Sequence, residues 1–421
     1  MRTALRRNST VRLLGGVVVA ALVIAGCSSN ESHETHESGT GTTTSVTAGT
    51  ATTTVALQKI DATTLNDIVA GVAKDLQIPG AVAILKTPDG NQTVKYGTGV
   101  RGQDTPVDTV EHIRIGSNTK TMTGTVILQL AQEGKLALTD PVSKYRPDVP
   151  NGDNITIEQL LDMRSGLFNY TETPELNQAL DNDPQKQWKP EELLALGFAN
   201  PPYFPPGQGY HYSNTNIVLL GLIAESLDAK PLQQIFRSRL FGPLGLTGTS
   251  FPDTADSTIP APHSQGYVYG TNMETLTDPA LPPDMQAAAK DGSLQPNDVT
   301  DVNPSWAWAA GAGISTADDL VTWVQALVGG QLLNPDLQAQ RLASVQPTSP
   351  DSGAAQYGWG IAKMGPMFGH TGELPGFNSF MGHDPVNKVT LVVWANLAPA
   401  ANGQDPATTM AKEIIGKVYP G

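Results

Sequence analysis

The sequence predicts an α/β fold: an antiparallel sheet flanked by N- and C-terminal helices, with an inserted all-α lobe. Two observations support this. Residues 62–77 have the spacing of an amphipathic helix and precede two strand-like apolar runs, and both kinds of segment return near the C-terminus. The middle of the chain is mostly helical in pattern and rich in Pro and Gly. A sheet built from both ends of the chain, with the middle inserted as a lobe, accounts for this order.

The sheet is predicted to contain two pairs of strands. The four strands span residues 81–87, 92–100, 377–384 and 388–397. The first pair flanks Pro88-Asp89-Gly90, a turn typical of hairpins. Residues 407–419 form a closing helix, because their apolar positions again recur with helical spacing. The polar, proline-bearing region 269–299 has no clear element and is expected to wrap the surface or border a cleft.

Residues 1–26 have the composition of an export signal. Four arginines and no acidic residue precede the apolar run Leu13–Ala25, which is short for a membrane span. The sequence from Ile24 to Cys27 resembles the lipobox of bacterial lipoproteins, which implies cleavage before Cys27 and lipidation of that cysteine. We therefore expect a lipid-anchored protein on the outer side of the cell membrane. The alternatives are a plain secretory signal or a short membrane anchor.

Residues 27–56 are rich in Ser, Thr and Gly and are predicted to form a flexible tether. Residues 57–421 then form one globular unit without a second linker, which we expect to be a monomer. Cys27 is the only cysteine, so the chain can hold no internal disulfide or cysteine-based zinc site, and no other metal or cofactor is predicted. Loss of the four signal arginines takes the formal net charge from −14 to −18, which argues against nucleic-acid binding.

The stretch GSNTK places Ser117 and Lys120 three residues apart at the start of a predicted helix. Residues three apart lie on one helix face, so the lysine amine can reach the serine hydroxyl. A serine becomes a useful nucleophile only beside a base, and a lysine becomes a base only when its pKa is lowered. The alternative is that Ser117 caps the helix and Lys120 is a solvated side chain.

Two further motifs contain side chains suited to substrate recognition. Tyr212 and Asn214 are two apart before an apolar helix, where one hydroxyl can relay a proton and one carboxamide can hold a carbonyl. His370, Thr371 and Gly372 lie in a predicted strand, with two hydrogen-bonding side chains and a glycine that would let a substrate backbone approach. Taken one at a time, Tyr212 is explained more simply as a packed core tyrosine, and His370 as an ordinary loop histidine.

The three motifs S-x-x-K, Y-x-N and H-T-G occur in this order, and together they resemble the serine β-lactamase and penicillin-binding superfamily. The surrounding stretches resemble its class C β-lactamase and D-alanyl-D-alanine carboxypeptidase branch. The resemblance covers about residues 65–396. It implies an α/β sandwich with an all-α lobe and a cleft between them, which agrees with the order of the predicted elements.

The resemblance also implies a role for each matching residue. These roles are acylated nucleophile for Ser117, base for Lys120, proton donor to the leaving group for Tyr212, substrate contacts for Asn214, His370, Thr371 and Gly372, and an oxyanion hole for the backbone N–H groups of Ser117 and Glu373.

Of the functions that the family resemblance implies, the one favoured here is that of a D-alanyl-D-alanine carboxypeptidase-like hydrolase acting on cell-wall peptides. The same nucleophile would serve a β-lactamase or an esterase, and a non-catalytic sensor that binds penicillin or peptidoglycan is a third possibility. His370 departs from the lysine that most lactamases of this branch carry. A histidine is mostly uncharged near neutral pH, so a substrate carboxylate would be held less firmly unless another cation assists.

Overall fold

The computed structural model describes residues 56–351 and 353–420. The predicted signal peptide, Cys27 and nearly all of the tether lie outside these residues. The α-helices of the described part are α1 (Ala62–Asp75), α2 (Thr119–Gln132), α3 (Ile157–Leu161), α4 (Pro174–Asn182), α5 (Pro190–Phe198), α6 (Asn214–Asp228), α7 (Leu232–Phe236), α8 (Gly242–Leu244), α9 (Pro283–Asp291), α10 (Ala317–Gly329), α11 (Pro335–Ala343) and α12 (Pro406–Val418). Within this part no helix is long and apolar enough to cross a membrane.

The strands of the described residues are β1 (Gly80–Thr87), β2 (Gly90–Gly97), β3 (Ile113–Arg114), β4 (Tyr267–Val268), β5 (Asn297–Asp298), β6 (Ile314–Ser315), β7 (Gln346–Pro347), β8 (Gln356–Gly358), β9 (Ile361–Met364), β10 (Met367–Leu374), β11 (Phe377–Asp384) and β12 (Val389–Ala395). Eight of them form one antiparallel sheet in the order β2-β1-β12-β11-β10-β9-β8-β7. Strand β1 pairs directly with β12, so both ends of the chain build the sheet. The predicted fold class is confirmed.

Both faces of the sheet are buried, and alternate residues of one strand enter different cores. In β1, Val82 and Ile84 pack into the core shared with the helical lobe. Ala81, Ala83 and Leu85 point the other way and pack with α1 and α12. This separation follows from the two-residue period of a strand, and it explains why β1 reads as a continuous apolar run.

The middle of the chain forms the helical lobe, as predicted. Helices α2 and α6 are buried along most of their length and form its centre. Most of region 269–299 lies outside helices and strands; its elements are helix α9 and the short strand β5. Strand β5 pairs with β4 in a separate two-stranded sheet, and Leu281 packs with the α1 and α12 core.

Strand β10 lies against the turn that begins the α2 segment, and two glycines make this approach possible. A 3₁₀ turn, Gly116–Asn118, runs directly into α2. A Cβ added to Gly372 would fall 1.9 Å from the Ile115 carbonyl oxygen. A Cβ added to Gly116, which has a φ of +53°, would fall 2.4 Å from the Glu373 backbone nitrogen. Any side chain at either position would therefore push the turn away from the strand.

We expect Gly372→Ala to lower the free energy of unfolding by about 1–3 kcal/mol, because overpacking a rigid contact forces backbone shifts. Gly416→Ala is the matched control. Gly416 is exposed in α12 with nothing within 4 Å of an added Cβ, so its replacement should stabilise the protein by up to about 1 kcal/mol. Urea unfolding of both variants measures the difference, and a Gly372→Ala protein as stable as the wild type would contradict the steric argument.

Candidate active site

Ser117 lies in the 3₁₀ turn ahead of α2, at the edge of the cleft between sheet and helical lobe. Its hydroxyl is 2.8 Å from the Lys120 Nζ, and the serine is half-buried. Helix α2 begins at Thr119 and receives no side-chain cap from Asn118 before it. Ser117 is therefore not the cap of α2, the simpler alternative for this serine, and its hydroxyl is directed at the lysine instead.

Lys120 is completely buried, although it carries an amine. Its Nζ donates to the Ala310 carbonyl oxygen at 2.7 Å and is in hydrogen-bond contact with the Ser117 hydroxyl. Burial lowers the pKa of Lys120 well below its usual value, because a charged ammonium loses its hydration there. A neutral amine has a lone pair, so Lys120 has the chemistry of a base toward Ser117.

Tyr212 lies next to Lys120 and keeps its proton. The Lys120 Nζ is 4.8 Å from the centre of the Tyr212 ring. Burial raises the pKa of the Tyr212 phenol well above its usual value, while the nearby Ser117 side chain acts in the opposite direction. At neutral pH the side chain is therefore a phenol, able to donate a proton to a leaving group beside Ser117.

Asn214 is the first residue of α6 and lines the same cleft as Ser117. Its amide nitrogen donates to Asn169 Oδ1 and to Thr171 Oγ1, both at 3.2 Å. These two bonds fix the plane of the carboxamide. The motif Y-x-N therefore brings a phenol to the nucleophile and a fixed carboxamide to the cleft wall.

The backbone groups expected to form the oxyanion hole lie close to one another. Ser117 and Glu373 both line the cleft, and Gly116 stands against the Glu373 backbone nitrogen and oxygen. The first N–H groups of a helical turn have no partner inside the helix. The contact between the turn and β10 therefore brings the backbones of Ser117 and Glu373 together at the cleft.

The cleft itself has a volume of about 450 Å³. Its wall includes Trp306 and several residues of region 269–299, so this region borders the cleft, one of the two predicted outcomes. Asp181 holds part of that wall, because its carboxylate accepts from the Asn272 and Met273 backbone nitrogens at 2.8 and 2.9 Å.

His370 differs from its expected role, because it offers no free ring nitrogen to a substrate. The side chain is only 3% exposed. Its Nδ1 lies 2.6 Å from the Thr371 carbonyl oxygen, and its Nε2 lies 3.0 Å from the Tyr357 hydroxyl. Gly372 also differs from expectation: its missing side chain makes room for the Ile115 carbonyl. Thr371 between them is half-buried.

Among the residues that the structure describes, no lysine or arginine lines the cleft, so its wall carries no positive charge from these side chains. Arg114 and Arg341 are buried elsewhere and donate to backbone carbonyls. Arg101 contacts Gln295 and lies over the Tyr267 ring. Burial lowers the pKa of His370 to about 3, so this side chain adds no charge at neutral pH either.

Glu373 and Asp181 are the acidic residues among those that line the cleft. Desolvation and the neighbouring Asp405 carboxylate raise the pKa of Glu373 well above its usual value. Among the described residues, no group of three or more His, Cys, Asp or Glu is arranged to hold a metal ion.

Two groups at the site were not identified from the sequence. The Ala310 carbonyl holds Lys120, but a backbone acceptor leaves no signature in the residue type. Tyr357 holds His370, and it lies in the short stretch Tyr357-Gly358-Trp359-Gly360. The two glycines of this stretch indicate a tight turn, and this was the feature of the sequence that could have drawn attention to Tyr357.

A sequence model of the Beta-lactamase family matches residues 65–413. Protein flp of Staphylococcus aureus (strain COL) is 28% identical over 358 residues, 82% of this chain. The chain spans 64% of the length of that relative. The putative penicillin-binding protein PbpX of Bacillus subtilis (strain 168) is 24% identical over 407 residues, which cover 94% of this chain and 93% of PbpX.

Solved structures of two hydrolases share the fold. A D-stereospecific amidohydrolase from Streptomyces sp. has a TM-score of 0.71 and 29% identity, covering 85% of this chain and 98% of its own. The D-amino acid amidase from Ochrobactrum anthropi SV3 has a TM-score of 0.67 and 27% identity, covering 83% and 98%. Both identities exceed a quarter, so the likeness extends beyond the fold to the sequence.

We expect Lys120→Arg to lower kcat/KM by about 10²–10⁴-fold, because a guanidinium stays protonated and cannot act as a base. In the wild type, the acylation rate should fall as the pH drops through the lowered pKa of Lys120, since the protonated amine has no lone pair. Stopped-flow acylation across pH measures both effects. A Lys120→Arg variant with wild-type rates would exclude Lys120 as the base.

Proposed function

The chain belongs to the Beta-lactamase family, and we propose that it is a serine hydrolase that cleaves peptide or amide bonds of D-amino acids through an acyl-enzyme. The observation that carries the proposal is the contact of 2.8 Å between Ser117 Oγ and a completely buried Lys120 amine at a cleft of about 450 Å³. The likeness to a D-stereospecific amidohydrolase supports the substrate class.

The proposed acylation step uses each group in turn. Lys120 takes the Ser117 proton as Oγ attacks the substrate carbonyl carbon. The backbone N–H groups of Ser117 and Glu373 receive the oxygen that becomes negative. Tyr212 donates its proton to the leaving nitrogen as the amide bond breaks, and the proton gained by Lys120 restores the phenol. Water then hydrolyses the ester at Ser117, which releases the acid and frees the serine.

Cleavage of D-alanyl-D-alanine peptides of the cell wall is the first specific reaction that we propose. The similarity to a putative penicillin-binding protein over 94% of this chain supports it. The predicted lipobox supports it as well, since a lipid-anchored enzyme outside the cell would meet the wall. A substrate of this kind ends in a carboxylate, and that group would have to be held by neutral donors.

Hydrolysis of D-amino acid amides is the second specific reaction, and the charge of the cleft favours it. No lysine or arginine of the described residues lines the cleft, and His370 is neutral. An amide substrate has no terminal carboxylate and therefore needs no cation. The likeness to D-amino acid amidase at 27% identity supports this reaction too.

Intact-mass spectrometry of the purified protein separates these reactions. It is mixed with a penicillin, a p-nitrophenyl ester, a D-Ala-D-Ala peptide or a D-amino acid amide, with product formation followed in parallel. We expect turnover of the amide or the peptide, with the amide favoured because it carries no anion into a cleft that no lysine or arginine of the described residues lines. Ser117→Ala should abolish turnover and any acyl adduct, because it removes the nucleophile.

Each other result has a defined meaning. Rapid penicillin turnover without a lasting adduct would indicate a β-lactamase, and turnover of the ester alone would indicate an esterase. A lasting penicilloyl adduct that Ser117→Ala removes would support the peptidase. The absence of both turnover and adduct with all four compounds would refute the proposed function.

The location at the membrane follows from Cys27 and is proposed together with the function. We expect the wild type to incorporate labelled fatty acid and Cys27→Ser to incorporate none, because the thiol that would receive lipid is lost. Metabolic labelling followed by immunoprecipitation measures this, with the wild type as control. A wild type that incorporates no fatty acid would favour a plain secretory signal or a short membrane anchor. The monomeric state stays a prediction.

A further inference from the structure

We propose that His370 and Tyr357 form a positioning pair that fixes the orientation of Tyr212, and that neither side chain contacts the substrate. The inference rests on the proposed function, since it assigns a role within that reaction. It gives the H-T-G histidine a structural partner in place of the substrate contact expected from sequence.

The hydrogen bonds of His370 define its state. The Thr371 carbonyl oxygen can only accept, so the proton lies on Nδ1, 2.6 Å away. Nε2 of a neutral ring then has only a lone pair, and the Tyr357 hydroxyl at 3.0 Å must donate to it. His370 is 3% exposed, which is consistent with a neutral ring whose two nitrogens are both satisfied.

Tyr357 connects the hydrogen-bonded His370 ring to the Tyr212 ring. Its side chain is also 3% exposed. Its ring stands at 89° to the Tyr212 ring with 6.0 Å between the ring centres, the edge-to-face arrangement that aromatic rings prefer. A second perpendicular contact, at 5.5 Å and 90°, joins Tyr357 to the His370 ring. The hydroxyl bond to His370 therefore stops Tyr357 from shifting, and Tyr357 bounds one side of Tyr212.

The geometry also separates the pair from the substrate. Tyr357 and His370 are each only 3% exposed, and their polar groups already bond one another and the Thr371 carbonyl oxygen. Removal of the pair should therefore affect the step in which Tyr212 donates a proton and leave substrate binding nearly unchanged. This expectation differs from that for a substrate-binding histidine, whose loss would raise KM.

The test is a double-mutant cycle with Tyr357→Phe and His370→Asn, measured on whichever amide or peptide the wild type hydrolyses. Tyr357→Phe keeps the ring and loses the hydroxyl, while His370→Asn keeps a donor near the Nδ1 position and loses Nε2. We expect each change to lower kcat about ten-fold, the size of one lost hydrogen bond, with KM within two-fold. The double variant should be no slower than either single variant, because both remove the same bond.

A conservative variant and two remote controls separate positioning from general damage. His370→Gln places an amide oxygen as many bonds from the backbone as Nε2, so it can accept from Tyr357 and should recover most of kcat. Tyr419→Phe removes a hydroxyl bonded to Asp384 at 2.8 Å, and His383→Asn alters a buried histidine bonded to Thr390 at 2.9 Å. Both lie away from the cleft and should keep the wild-type kcat.

The outcomes distinguish failure of this inference from failure of the proposed function. An unchanged kcat in Tyr357→Phe would overturn the inference. A raised KM in His370→Asn, or effects that multiply in the double variant, would also overturn it in favour of a direct substrate contact. If His370→Asn fails to fold, Tyr357→Phe and His370→Gln decide alone. A wild type that hydrolyses none of the substrates, or a Ser117→Ala variant that still does, would refute the proposed function itself.

Discussion

The complete burial of Lys120 without an acidic partner is the constraint on which the site depends. A charged ammonium in this position would lose several kcal/mol of hydration. Among the described residues, its nitrogen has hydrogen bonds only with a backbone carbonyl and a serine hydroxyl. The amine therefore favours its neutral form. A carboxylate beside it would restore the charge and remove the base, so the helical lobe must exclude acidic side chains from this pocket. No acidic residue is among the buried residues of α2 and α6, which meets this requirement.

Two other buried cations, the arginines Arg114 and Arg341, keep their charge. Arg114 donates to the carbonyls of Ser257, Thr300 and Val302, and Arg341 donates to Thr125 and to the Gly360 carbonyl. Burial lowers the pKa of Arg114 to about 10 and that of Arg341 to about 9, so both stay protonated at neutral pH. Each guanidinium joins segments far apart in sequence. The difference from Lys120 lies in chemistry: a guanidinium keeps its proton and serves as a link, while an amine releases it and serves as a base.

The sheet contributes to catalysis through close packing rather than through a charged side chain. Gly372 and Gly116 bring β10 and the Ser117 turn into backbone contact, and the proposed oxyanion hole lies at this contact. Behind the same strand, His370 is turned inward toward Tyr357. The consequence is a cleft wall that has no cation among the described residues and in which Glu373 and Asp181 are the acidic side chains. Substrate preference in this protein should therefore follow hydrogen bonding and shape more than ion pairing.

The sequence by itself determined the fold class, because two-residue alternation and helical spacing record which faces are buried. Paired strands at both ends, the closing helix and the helical middle were all predictable in this way. It also located the motifs of Ser117, Tyr212 and His370, since their spacing is local. Only the tertiary structure decided which partners these side chains meet. The Ala310 carbonyl, the Tyr357 hydroxyl and the close contact at Gly372 come from residues distant in sequence, and nothing in local periodicity records them. The inward direction of the His370 side chain is likewise decided by tertiary contacts, because its partner Tyr357 lies on β8 while His370 lies on β10. Since this histidine is turned inward and neutral, it adds no charge to the cleft.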